Sequence, residues 1–114
     1  MPEPTYAQGD VVLVPFPFTD LTSSKVRPAF VLSNEAFNRG RDIVVCAMTS
    51  NVADSEHSVL VGPQDMASGS LLAPSRAKVA KIVTLQKDIV RKRLGRTNER
   101  ARKQVLRELE ALFS

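Results

Sequence analysis

The sequence predicts a small, mainly antiparallel β-barrel or curled sheet with one amphipathic helix laid over an opening. Two observations lead to this fold class. Short segments rich in β-branched and apolar residues recur through most of the chain, and the last segment repeats apolar residues at helical spacing. The chain has 114 residues, the length of one domain, so we expect a single domain over residues 1–114.

The first predicted strand lies in GDVVLVPFPF, directly after a turn signal at Gly9-Asp10. Alternation places four apolar side chains on one face of it: Val12, Val14, Phe16 and Phe18. Pro15 and Pro17 face the other way. Because proline cannot donate a hydrogen bond to a ladder, these two residues confine this end of the strand to a sheet edge or rim. The run that follows, 19–25, is polar.

Two central strands are predicted in PAFVLS, 28–33, and DIVVCAMTS, 42–50. A fourth strand is predicted in HSVLVG, 57–62. A fifth lies in SRAKVAKIV, 75–83, where alternation places Ala77, Val79 and Lys81 on one face.

The segment 84–95, TLQKDIVRKRLG, has features of both a helical turn and a short strand, so the pattern leaves both open. The closing helix is clearer, since either Thr97 or Asn98 can cap it. Its apolar residues recur at helical spacing: Ala101, Val105, Leu109, Leu112 and Phe113.

Composition excludes several classes of protein. No apolar run is long enough to cross a bilayer, and the segment MPEPTYAQGD lacks the basic and apolar regions of a secretory signal. We therefore expect a cytoplasmic protein with no membrane partner. The single cysteine, Cys46, lies in an apolar run, so we expect it to be a small buried hydrophobe rather than a disulfide partner or metal ligand.

Charge is unevenly distributed along the chain. Residues 1–75 contain four basic and eight acidic side chains, a net charge of −4, and residues 76–114 contain twelve basic and four acidic side chains, a net charge of +8. A basic carboxyl-terminal part is typical of proteins that bind a polyanion such as RNA or DNA. It is equally typical of a solvated helix face.

The common catalytic motifs are missing from the sequence. It contains no serine elbow, no phosphate-binding glycine loop and no metal-ligand spacing. His57 is the only histidine, and we expect it to be a surface group at a strand end. The sequence therefore predicts no metal site and no cofactor.

Two strand ends can meet to form an anion site. Arg27 begins the PAFVLS strand, and Thr49-Ser50 end the CAMTS strand, so antiparallel pairing brings them to one rim of the sheet. A guanidinium offers a planar fork of donors that suits a phosphate, and a hydroxyl adds a neutral donor beside it. For an isolated arginine, a solvated charge at a strand end is the ordinary interpretation.

The order GDVVLV, KVRPAFVLSN and CAMTSN resembles the MazF/PemK family of toxin endoribonucleases from bacterial toxin–antitoxin systems. GSLLAPSRAKVAKIVTLQKDIVRKRLGRTNE is similar to the second half of that family. The resemblance runs from Gly9 to about Leu112. It implies an SH3-like β-barrel of about five to seven strands with a carboxyl-terminal helix.

The resemblance also implies an activity. Members of this family act as homodimers that cut single-stranded RNA without a metal ion, and the family's catalytic arginine and threonine fall on Arg27 and Thr49. The substrate-binding residues expected beside them are four: Ser50, Lys25, Asp20 and Lys78. Some members carry an arginine and an aspartate one residue apart, where this chain has Lys78 and Ala80, so no carboxylate base stands there.

The expected partners are a single-stranded RNA substrate, a cognate antitoxin whose disordered acidic tail covers the basic rim, and a second copy of the chain. Four apolar residues are candidates for the dimer contact: Val11, Leu13, Pro15 and Pro17.

Two other functions are compatible with the same fold. CcdB-like toxins bind and poison DNA gyrase through a surface helix; on that interpretation the closing helix binds the target and Arg27 is dispensable. A plain interaction or regulatory subunit would keep the core pattern and lose anion binding.

Overall fold

Seven strands and two α-helices form within residues 5–15 and 26–114, which are the residues that the computed structural model describes. The strands are β1 (Asp10–Pro15), β2 (Val26–Val31), β3 (Asp42–Thr49), β4 (Ser58–Val61), β5 (Met66–Gly69), β6 (Ser75–Gln86) and β7 (Lys92–Thr97). The helices are α1 (Glu35–Asn38) and α2 (Glu99–Phe113). The strands form one curled antiparallel sheet in the order β4-β6-β3-β2-β1-β7-β5, which confirms the predicted fold class.

The central position of β2 and β3 is also confirmed, and it follows from their apolar composition, because both strands bury side chains on both faces. In β3, Cys46 and Met48 enter the core that α2 covers, here called the helix-side core. Val45 and Ala47 enter the core on the other face, here called the opposite core. Cys46 is fully buried as expected, and burial raises the pKa of its thiol to about 12.

The strand β6 is longer than predicted and contains a register shift opposite β3. Cys46 pairs with Ile82, but the next residue, Ala47, pairs with Lys78. Ala77 and Val79 are buried in the helix-side core, as predicted. The prediction for Lys81 is wrong: it is exposed, because the shift ends the alternation that would have placed it beside them.

The strand β1 lies between β2 and β7. Val12 and Val14 share the opposite core, as predicted. The pairing of β1 with β7 extends to Leu13, whereas Pro15 pairs only with Val26 of β2, consistent with proline at a rim. The prediction that Val11 lies in a dimer contact is wrong, because its side chain is fully buried in the helix-side core. The expectations for Phe16, Pro17 and Phe18 lie outside the described residues.

Strand β5, a short exposed strand at the edge of the sheet, was not predicted from the sequence. Its last residue, Gly69, pairs with Gly95 of β7. Both glycines have positive φ angles, +72° and +159°, and a side chain on either would collide with the backbone of the other strand. Strand β5 therefore depends on two glycines rather than on an apolar alternation.

Residues 84–95, where the sequence pattern left both a helical turn and a short strand open, contain a turn and the start of a strand. A 3₁₀ turn covers Lys87–Ile89, and β7 follows it. Lys87 is buried, and its ammonium donates to the Asn38 carbonyl oxygen at 2.9 Å. This contact satisfies a carbonyl at the end of α1 and joins α1 to the far end of β6.

The closing helix α2 begins after Asn98, whose side chain accepts a hydrogen bond from the Ala101 N–H at 2.9 Å. Ala101 and Val105 are buried, and Leu109 packs against the helix-side core, as predicted. Phe113, predicted to share this face, is instead exposed. The helix packs against β4 and β6.

Asp10, identified in the sequence only as part of a turn, is a fully buried carboxylate. It accepts a hydrogen bond from the Ala7 N–H at 2.9 Å. Its two oxygens also contact Arg96 Nε at 2.9 Å and Arg93 Nη1 at 3.6 Å. These contacts join the segment before β1 to β7.

Replacing Asp10 by Ala is expected to lower the free energy of unfolding by about 2 kcal/mol, because the Ala7 N–H loses its acceptor and two arginines lose their counter-charge. Urea unfolding of both proteins measures the change. Glu110→Ala, at an exposed position on α2, serves as the control and should differ from the parent by less than about 0.5 kcal/mol. Equal stability of Asp10→Ala and the parent would contradict this role.

Candidate functional site

A pocket of about 390 Å³ opens beside the first residues of β2 and the end of β3. Arg27 of β2 and Thr49 of β3 both line it. Lys78 and Lys81 of β6 and part of the segment after β3 complete the wall, while Ala47 and Met48 form an apolar part. The sequence prediction that Arg27 and Thr49 reach the same rim is confirmed.

The register of the β2–β3 ladder explains this proximity. Ala29 pairs with Ala47, and two residues further along each strand lie Arg27 and Thr49. Side chains two residues apart on a strand share a face, so Arg27 and Thr49 lie on the same face of the sheet as Ala29 and Ala47, just beyond that pair. Ala29 and Ala47 belong to the opposite core, so a packed apolar layer lies directly behind the two polar groups.

The hydroxyl of Thr49 is oriented by the chain that follows it. The Asn51 N–H donates to Thr49 Oγ1 at 3.2 Å. Because that oxygen already accepts a hydrogen bond, its own proton remains available to donate elsewhere. Thr49 is partly buried and lines the pocket, so a ligand oxygen in the pocket is within the reach of this donor.

Lys78, predicted as a substrate-binding residue, also lies in the pocket. It stands opposite Ala47 in the β3–β6 ladder and opposite Ser58 in the β4–β6 ladder. Its ammonium donates to Ser55 Oγ at 2.8 Å, which holds it against the wall. The lysine therefore supplies a positive charge at a fixed place.

The wall formed by residues 51–55, and the residue that holds it, were not predicted from the sequence. Arg76 donates through Nε to the Val52 carbonyl oxygen at 2.9 Å and through Nη1 to Ser58 Oγ at 3.3 Å. Its Nη1 also lies 3.5 Å from Asp54 Oδ1. The three basic residues of RAKVAK, at positions 76, 78 and 81, were the available sequence signal for this side of the site.

Two further residues singled out in the sequence, Ser50 and His57, do not line the pocket. Ser50 is exposed and is not among the residues that line the pocket. His57 lies directly before β4 with its side chain 38% exposed, as expected for a surface group at a strand end, and its Nδ1 lies 3.3 Å from Glu108 Oε1 of α2. The predictions for Asp20 and Lys25 lie outside the described residues.

Positive charge dominates the part of the pocket that the described residues form. Arg27, Lys78 and Lys81 line that part together with one acidic residue, Asp54. The arginine offers a planar fork and the lysines offer point charges, so the pocket suits an oxyanion such as a phosphate. Among residues 5–15 and 26–114, no group of three His, Cys, Asp or Glu side chains is arranged to hold a metal ion.

The helices of the described ranges are all too short or too polar to span a bilayer.

Replacing Arg76 by Met is expected to loosen the segment 51–55 while β4 and β6 remain paired. The reason is that the variant lacks the guanidinium, which contacts Val52, Asp54 and Ser58. Hydrogen exchange of the Asn51 and Ala53 amides measures this, since both donate to side chains at 3.2 and 3.1 Å. Both amides should exchange faster in the variant, and the Val79 amide should stay protected. Unchanged exchange at Asn51 and Ala53 would show that Arg76 does not hold the wall.

Residues 7–113 match the family model described as PemK-like, MazF-like toxin of type II toxin-antitoxin system. No curated protein has a significant sequence match to the chain.

Solved structures share the fold at low sequence identity. An endoribonuclease in complex with its cognate antitoxin, from a mycobacterial species, superposes with a TM-score of 0.74 at 24% identity over 95% of this chain and 94% of that one. MazF from Deinococcus radiodurans superposes with a TM-score of 0.74 at 19% identity, covering 97% and 98%. A MazE–MazF structure from the same organism gives 0.72 at 20% identity, covering 98% of each chain. By the family match over residues 7–113, the chain belongs to the PemK-like, MazF-like toxins of type II toxin–antitoxin systems.

Proposed function

We propose that this protein is a metal-independent endoribonuclease that cleaves single-stranded RNA at specific sequences and leaves 2′,3′-cyclic phosphate and 5′-hydroxyl ends. The observation that carries the proposal is the placement of Arg27 and Thr49 in one cationic pocket. Membership of the toxin family supports it, as does the fold shared with a protein named as an endoribonuclease.

The reaction needs no nucleophile from the enzyme. RNA carries a 2′-hydroxyl beside each phosphodiester. Its oxygen gives up its proton to water and attacks the phosphorus, the bond to the 5′-oxygen breaks, and that oxygen takes up a proton from water, so no proton is consumed overall. Holding the 2′-oxygen in line with the leaving 5′-oxygen supplies much of the rate acceleration through proximity. DNA lacks this hydroxyl, so the same chemistry distinguishes the two polymers.

Arg27 acts on the charge that develops during attack. Negative charge grows on the non-bridging oxygens of phosphorus, and a guanidinium fork already in place stabilises it more than it stabilises the ground state. The Thr49 hydroxyl donates a hydrogen bond to one of these oxygens, and its Oγ1 is held by the Asn51 N–H. Lys78, held by Ser55, supplies further positive potential and binds substrate. Asp20, Lys25 and Ser50 remain proposed substrate-binding residues.

The proposed partners follow from the same site. An antitoxin with an acidic, disordered segment would be attracted to the cationic rim and would order on binding. Two structural neighbours support this, one solved with its cognate antitoxin and one described as MazE–MazF. We also propose that the protein acts in the cytoplasm as a homodimer, with Leu13 and Pro15, which are only partly buried, as the described candidates for the contact.

The comparisons do not favour the gyrase-binding alternative, since the family that matches is that of PemK-like, MazF-like toxins. They equally give no support to DNA binding. A gyrase poison would use α2 and dispense with Arg27.

The decisive experiment incubates the purified protein with mixed-sequence single-stranded RNA in excess EDTA, beside the variants Arg27→Ala and Arg41→Ala. The parent and Arg41→Ala, an exposed arginine before β3, should cut and leave a cyclic phosphate detectable by mass spectrometry. Arg27→Ala should cut on the order of 10² to 10³ times more slowly, the usual effect of losing one oxyanion donor.

Two results would overturn the proposal. Cleavage by Arg27→Ala at the parent's rate would remove Arg27 from the mechanism. Intact RNA with the parent, together with inhibition of gyrase supercoiling, would favour the gyrase-binding alternative.

A further inference from the structure

The register shift in the β3–β6 ladder has a chemical consequence at the pocket. Cys46 and Ala47 are adjacent on β3, yet their partners on β6, Ile82 and Lys78, are separated by residues 79–81. These residues therefore bulge out of the ladder. Bulges of this kind redirect side chains, and they are frequent next to binding sites.

Lys81 is the residue that the bulge redirects. In an unbroken strand it would share the face of Ala77 and Val79, both buried in the helix-side core. Instead it is exposed and lines the pocket with Arg27 and Lys78. Burying an unpaired ammonium in an apolar core is costly, so the bulge also removes an unfavourable position for this lysine.

The two pocket lysines are held differently. The ammonium of Lys78 is hydrogen-bonded to Ser55 Oγ at 2.8 Å. Lys81, by contrast, forms no hydrogen bond or ion pair with any residue in the described part of the chain. Asp54, the one acidic residue among the described residues of the pocket, lies 3.5 Å from Arg76 Nη1 and so has a cationic neighbour of its own.

We propose that Lys81 binds a second phosphate of the RNA strand, next to the scissile phosphate at Arg27 and Thr49, an inference that rests on the proposed function. One phosphate is already served by the guanidinium fork, the Thr49 hydroxyl and Lys78. A further ammonium on a flexible stem suits an adjacent phosphate, whose position varies with the conformation of the single strand. The site would thus bind two successive linkages and favour a polymer over a mononucleotide.

The test measures binding rather than cleavage. A mixed-sequence oligonucleotide with 2′-O-methyl groups throughout cannot be cut, because the attacking hydroxyl is blocked. Its affinity is measured over a range of salt concentrations for the parent, Lys81→Gln, Lys81→Arg and Lys103→Gln. Each phosphate contact with a single strand contributes about −0.7 to the slope of log K against log salt concentration.

Lys81→Gln should reduce the magnitude of that slope by about 0.7, since one phosphate contact is lost. Lys81→Arg should restore the slope of the parent because it keeps the charge. Lys103→Gln removes the same charge on α2, away from the pocket, and should retain the slope of the parent. Unfolding of all four proteins at the same temperature confirms that the variants are folded.

The outcomes separate this inference from the proposed function. RNA cleavage by the parent combined with an unchanged slope in Lys81→Gln would overturn the role of Lys81 and leave the nuclease proposal standing. A slope that depends on Lys81 in a protein that cuts no RNA would support the phosphate contact and overturn the nuclease. An equal reduction of the salt slope in Lys81→Gln and Lys103→Gln would overturn the phosphate contact. The absence of any binding by the parent would overturn it too.

Discussion

The candidate site depends on the pairing of β3 with β2 on one side and with β6 on the other. The first ladder sets Arg27 beside Thr49, and the second sets Lys78 beside Ala47. A slip of one residue in a β-ladder turns every side chain to the other face of the sheet. The register of these strands is fixed because both faces of β3 are buried in apolar cores. The packing that stabilises the fold therefore also determines which polar groups reach the pocket.

The fixed register and the burial of β3 also preorganise the pocket. Ala47 and Met48 belong to packed cores and give the site a rigid base. The polar wall is held by side-chain contacts from β6, through Arg76 to Val52 and through Lys78 to Ser55. Donors fixed before the reaction stabilise a developing oxyanion without reorganising, which is the main source of electrostatic catalysis. Under the proposed function, a site built in this way uses permanent positive charges where many nucleases use groups that exchange protons.

Sequence patterns predicted the parts of this molecule that follow regular alternation. The two central strands, a helix cap at Thr97 or Asn98 and the shared rim of Arg27 and Thr49 all follow from sequence pattern and antiparallel geometry. The patterns failed where the backbone departs from a regular strand. The bulge on β6 redirects Lys81, and β5 pairs through Gly69 and Gly95, which carry no hydropathy signal. The buried positions of Lys87 and Asp10 depend on partners distant in sequence, Asn38 and Arg96, which alternation cannot reveal.

The central claim is that Arg27 and Thr49 act as a unit on one phosphate. A double-mutant cycle tests it most directly, using single-turnover cleavage rates of the parent, Arg27→Ala, Thr49→Val and the double variant. Residues that act on the same transition state are not additive, so the double variant should cut at nearly the rate of the slower single variant. If the two losses instead multiply, the side chains act independently, and that result would contradict the account.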